Sequence, residues 1–95
     1  MHIITRKRLL EFAKKHPACS TALESWYRIA KRTDFNSFSE LRQTFPSADI
    51  VDNLTVFNIG GNKARLIAAV HYNIHRIYIR HILTHKEYDR GSWRK

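Results

Sequence analysis

The chain has few residues that staple, stiffen or loosen a backbone: one cysteine, two prolines and three glycines in 95 positions. A lone cysteine, Cys19, cannot build an internal disulfide framework, and a zinc site would have to lean on the histidines. With no repeat, low-complexity tract or Gly/Ser linker to mark a boundary, residues 1–95 read as one domain. No apolar run reaches the roughly 18 residues of a membrane span, and the start "MHIITRKRLL" lacks the apolar stretch of a signal peptide. We therefore expect a cytoplasmic protein that does not engage membrane. Acidic residues are scarce too. Eight Asp and Glu stand against 17 Lys and Arg, a formal charge of +9. Such an excess on so small a domain is the electrostatic footprint of a polyanion binder, usually of nucleic acid.

What is present is an ordinary apolar fraction, 43%, arranged first with helical and then with strand periodicity. "MHII" reads as a short strand. Thr5 can cap a helix "RKRLLEFAKKH" with Leu9, Leu10, Phe12 and Ala13 on one side, ended by Pro17. Thr21 and Glu24 fit a capping box opening "ALESWYRIAKR", whose Leu23, Trp26, Tyr27 and Ala30 form a buried stripe. Ser37 and Glu40 repeat that box before "FSELRQTF", stopped by Pro46. After "SADIVDN" the pattern alternates. "LTVFNIG", a turn at "GNK", "ARLIAAVHY", a turn near "NIH" and "RIYIRHILT" predict a three-stranded antiparallel meander. The expected class is α+β: an N-terminal strand, and two or three helices on one face of an antiparallel sheet whose other face can stay open.

Some residues carry more than architecture. Arg65 falls on the strand face shared with Asn58, opposite to Leu66. It has no carboxylate next to it in sequence, so it is free to grip a phosphate; the alternatives are an ordinary solvated strand arginine or one reserved for a distant partner such as Asp49 or Asp52. Four residues separate His81 from His85. Read as a strand, that spacing puts their side chains roughly 13 Å apart, too far for a shared metal, so no metal or cofactor is expected. The segment "THKEYDR" then gathers His85, Lys86 and Tyr88 where the sheet stops. Imidazole can serve as acid or base near neutral pH. An arginine, a histidine, a lysine and a tyrosine at one end of a cationic sheet suit RNA cleavage by 2′-hydroxyl attack. The same sheet, with Tyr72 and Tyr78, would also suit a passive platform for single-stranded RNA.

"VFNIGGNKARLIAAV" followed by "YIRHILTHKEYD" closely resembles the HigB family of bacterial toxins, a branch of the RelE-like superfamily. "MHIITRKRLLEFAKKHP" and "FPSAD" fit the same family, so the resemblance covers nearly the whole chain. It implies a microbial-ribonuclease-like domain acting as an mRNA interferase. Such an enzyme is a metal-independent endoribonuclease that cuts messages in the ribosomal A site and inhibits translation and growth. It also implies neutralisation by a helix-turn-helix antitoxin of the HigA type. On the matching positions, Arg65 is the phosphate-stabilising cation, and His85 and Tyr88 are the proton-transfer or base-stacking pair. Lys63 and Lys86 are backbone-binding cations, with Asn58 and Arg80 as additions to the RNA surface. Ala64 departs from a pattern that often sets a large residue before the arginine, which bears on the shape of the RNA groove.

Two other readings compete. A non-catalytic RNA- or ribosome-binding protein on the same fold would show salt-sensitive binding without new RNA ends. A small DNA-binding regulator fits less well, because the first helices lack a recognition-helix signature and the basic residues spread over helices and strands.

Overall fold

Alternation of apolar and polar residues from Leu54 onward folds this part of the chain into hairpins, and the helices pack on what the hairpins bury. The computed structural model describes residues 1–94. In chain order they form β1 (His2–Ile4), α1 (Arg6–Lys15), a 3-10 turn (Pro17–Cys19), α2 (Ser20–Arg32) and α3 (Phe38–Thr44). Then come β2 (Asp49–Val51), β3 (Leu54–Ile59), β4 (Ala64–His71), β5 (Arg76–Thr84), α4 (His85–Arg90) and a second 3-10 turn (Ser92–Arg94). The sheet order is β1-β5-β4-β3-β2, antiparallel except where β1 runs parallel to β5. The fold is α+β, and the expected meander is its centre. Residues Asp49–Val51 add an edge strand that their short, mixed pattern did not announce.

Leu66, Ala68, Ile77, Ile79 and Phe57 face α1 to α3, where Leu9, Leu23, Trp26, Ala30 and Leu41 close the main core. Trp26 meets Phe57 edge-on at 5.3 Å, and Phe45 meets Phe57 likewise at 5.2 Å. Each fully buried side chain of this size contributes about 1.5–3 kcal/mol of transfer free energy. Leu10, expected within the stripe of α1, is instead 59% exposed and lines an open cleft between α1 and α2.

Three caps differ from expectation. Thr5 adopts a left-handed backbone (φ 75°), so its hydroxyl does not cap α1; its carbonyl accepts from Arg8 N–H at 3.0 Å. Thr21 and Glu24 form no capping box. The 3-10 turn runs straight into α2 through a helical Cys19, without the extended N-cap residue such a box needs. At α3, Ser37 accepts from Glu40 N–H at 3.2 Å, while the Glu40 carboxylate reaches back to Asn36 N–H at 3.2 Å rather than to Ser37.

The second sheet face is not left open along its whole length. Trp93, from the last 3-10 turn, covers Val56 and Ile67, and Leu54, Leu83 and Tyr88 complete this smaller core. Arg94 Nε donates to Asp52 Oδ2 at 2.8 Å, tying the turn to the β2–β3 connection.

Candidate active site

"THKEYDR" does not continue the strand. Thr84 has an extended backbone and accepts from Glu87 N–H at 3.3 Å, while Glu87 Oε1 accepts from Thr84 N–H at 2.9 Å. This capping box turns the chain into α4, and Gly91, left-handed at φ 74°, ends it. The Thr84 N–H bond holds the Glu87 carboxyl below its ordinary range, against a smaller opposing effect of burial. In helical geometry His85, Tyr88 and Asp89 fall on neighbouring positions of one side. The spacing argument that treated His81 and His85 as one strand is thereby corrected. Among the described residues no group of three or more potential ligands (His, Cys, Asp or Glu) comes together to hold a metal.

Arg65 sits opposite Asn58 on one side and Leu83 on the other. It is only 8% exposed, which removes the reading of a solvated strand arginine. Neither acidic partner considered above reaches it: Asp52 pairs with Arg94, and Asp49 Oδ1 accepts from Ile50 N–H at 2.8 Å. Its guanidinium is instead held by neutral acceptors. Nη1 donates to Gly61 O at 3.3 Å and Ala64 O at 3.1 Å, and Nη2 donates to Asn62 Oδ1 at 3.2 Å. The loop from Gly60 to Lys63 curls round the guanidinium through two left-handed glycines, Gly60 at φ 60° and Gly61 at φ 71°. A buried cation with neutral partners keeps its charge available for an anion.

Nη2 also lies 3.4 Å from His85 Nδ1. A guanidinium only donates, so Nδ1 is assigned as acceptor and the imidazole proton to Nε2. Nε2 lies 3.1 Å from Asp89 Oδ2. Arg65 Cζ is 5.6 Å from the centre of the Tyr88 ring, which in turn stacks on Trp93 at 5.3 Å with 16° between planes. Trp93 Nε1 donates to Tyr88 O at 3.1 Å, so the covered half of the second face fixes the tyrosine.

The geometry thus brings Arg65, His85 and Tyr88 together and adds three residues that sequence reasoning passed over: Gly61, Asn62 and Asp89. Asp89 had a readable signal, since Thr84 and Glu87 show the same box spacing used at Ser37 and Glu40. Asn58, Lys63 and Lys86 are exposed around the cluster: across the ladder from Arg65, in the loop before β4, and next to His85. Arg80 is elsewhere. The register skips it between the pairs Ile67–His81 and Ala68–Ile79, so it occupies a bulge on β5. Tyr72 packs against the main core, whereas Tyr78 faces the other side of the sheet. An apolar cleft of about 230 Å³ between α1 and α2 contains none of these cluster residues.

A small α+β domain with this sheet order, and with its polar cluster where β4, β5 and α4 meet, has the architecture of a RelE-like toxin. A family model described as HigB_toxin, RelE-like toxic component of a toxin-antitoxin system, matches residues 19–91. The mRNA interferase HigB of Escherichia coli O6:H1 is 39% identical over 93 residues, covering 95% of this chain and 90% of that protein. The mRNA interferase toxin HigB of Escherichia coli K12 and the mRNA interferase HigB of Shigella flexneri are each 39% identical over 92 residues. In both cases 94% of this chain and 88% of the relative are covered. The chain belongs to the HigB toxin family.

Proposed function

We propose that this chain is an endoribonuclease that cuts messenger RNA in the ribosomal A site by 2′-hydroxyl attack, and that a HigA-type antitoxin neutralises it. The observation that carries this reading is the Arg65 guanidinium. It is buried, held by neutral acceptors, and in contact with an imidazole that has a carboxylate behind it. The HigB relatives are all named mRNA interferases, which supports the same reading.

In this reading a phosphate of the message takes the place of the His85 Nδ1 contact and lies against Arg65. The 2′-oxygen attacks phosphorus and the bond to the 5′-oxygen breaks, giving a 2′,3′-cyclic phosphate and a free 5′-hydroxyl. Between them, His85 and Tyr88 take the 2′-hydroxyl proton and supply one to the leaving 5′-oxygen. Arg65 stabilises the charge that grows on the non-bridging oxygens. Asp89 lies against His85 Nε2 and keeps the ring oriented, and Lys63 and Lys86 hold flanking phosphates. Because the groups the chemistry calls on are side chains, the step requires no metal or cofactor. The test is a translation reaction on a defined message, with new 5′ ends mapped by primer extension. Cuts should appear only during translation, vanish with Arg65→Ala and drop steeply with His85→Ala. Unchanged cutting by Arg65→Ala would refute the assignment. Ribosome binding without any new ends would make the protein a non-catalytic binder.

A further inference from the structure

Trp93 divides the second sheet face. On β4 it seals Ile67, which lies between Arg65 and the positions Ala69 and His71, so the catalytic cluster and the far end of this face are separate surfaces. The far end is uncovered. Pairing of β1, β5 and β4 places His2 beside Arg76 and Arg76 beside His71, with Tyr78 between Ile4 and Ala69. Arg80 joins them at the bulge, and His2, His71, Arg76 and Arg80 are all exposed. Tyr78 forms the floor, edge-on to His71 at 5.1 Å, with its hydroxyl 3.4 Å from Arg76 Nη1.

No residue of β1, β4 or β5 is acidic. Among the described residues none of Arg8, Arg76 and Arg80 makes an ion pair. Arg8 and Arg80 both lie close enough to His81 to disfavour its protonation, adding to the effect of its burial. Like charges held together without a counter-charge repel one another, and a polyanion relieves that repulsion. Arg76 and Arg80 are four residues apart on one strand, roughly 13 Å, a reach of several phosphates along an RNA backbone. The Trp93 cover stands between this surface and the message held at Arg65, which favours a different strand here.

We infer that the His71–Arg76–Tyr78–Arg80 surface is a second RNA-docking site, which grips the phosphate backbone of folded ribosomal RNA while the message lies at Arg65. This rests on the ribosome-dependent reading above and adds to it the residues that dock the protein. The test compares wild type, Arg76→Glu/Arg80→Glu and the milder Arg76→Gln/Arg80→Gln. Four assays are run: co-sedimentation with ribosomes over a salt series, cleavage during translation, anisotropy with a short single-stranded RNA, and binding of the HigA-type antitoxin. Both side chains are exposed, so both doubles should melt within a few degrees of wild type; the milder pair guards against misfolding in the other.

Loss of two phosphate contacts should flatten the slope of log affinity against log salt by about 1.4 to 1.8. The KM for ribosomes should rise at least tenfold with kcat kept, and affinity for the short RNA should stay within twofold. An unchanged slope and KM would overturn the site. Loss of short-RNA binding would overturn it in favour of a message track. Loss of antitoxin binding with ribosome binding intact would overturn it in favour of a protein interface. A wild-type protein that neither sediments with ribosomes nor cuts during translation would fail the proposed function itself. Wild-type cutting with unaffected variants would fail only the docking site.

Discussion

Trp93→Ala is the perturbation that most directly joins the fold to the chemistry. The indole is 9% exposed, covers Val56 and Ile67, stacks on Tyr88 and donates to Tyr88 O. Truncating a buried tryptophan to alanine costs about 3–5 kcal/mol. That loss should fall on the docking of α4 rather than on the main core, because the six-residue helix packs on the sheet mainly through this smaller cluster. A short helix has little stability of its own. At the lower figure, about 3 kcal/mol, the undocked fraction of α4 rises roughly 150-fold. Native-state hydrogen exchange measures this directly: protection at the amides of Tyr88 to Arg90 should fall by about two decades. The β4 and β5 amides facing the main core should change by no more than about threefold. Trp93→Phe keeps a ring against Tyr88 and loses only the Nε1–H bond, about 1 kcal/mol, so the same amides should lose about fivefold. Cleavage should track α4 protection through both variants. Retained protection at α4 in Trp93→Ala would refute the view that the Trp93 cluster holds the site together.

Arg65→Lys keeps the charge but not the fork that reaches Gly61, Ala64, Asn62 and His85; cleavage should fall about 10²-fold while thermal melting moves only a few degrees. Retained activity would mean that charge alone suffices. His81 has its pKa lowered by burial first and by Arg8 and Arg80 second. The unfolded chain therefore binds the proton more readily, and stability present above about pH 6.5 should be lost as pH falls through the folded value. Urea titrations across that range should slope less for His81→Gln; an equal slope would remove His81 as the cause. Gly60→Ala forces a side chain onto φ 60° and brings its Cβ to 3.3 Å from Lys63 Cδ. It should cost about 1–2 kcal/mol, seen as a fall in Tm of at least about 4 °C by calorimetry.

The legible parts of this molecule were those whose signal is local. Strand alternation through Phe57, Leu66 and Ile77, and the helical stripe of Leu23, Trp26 and Ala30, each record one buried face in the residue order, so the α+β class and the meander could be read directly. Two short elements escaped, although the three-residue β1 did not. β2 and α4 hold too few residues to show a period, and Thr84–Glu87, a true capping box, was outweighed by the strand before it. Thr21–Glu24 had the same spacing and formed none, because a box also needs an extended N-cap, which the turn at Pro17–Cys19 does not supply. The sequence alone determined the charge excess and the class, and it offered Arg65, His85 and Tyr88 as candidates. Only the tertiary structure decided that Arg65 is buried among neutral acceptors, that Asp89 stands behind His85, and that Trp93 splits the sheet into two surfaces. Those facts depend on contacts between residues up to 42 positions apart, such as Arg94 with Asp52, and no local pattern encodes which distant groups a folded backbone will bring within 3 Å.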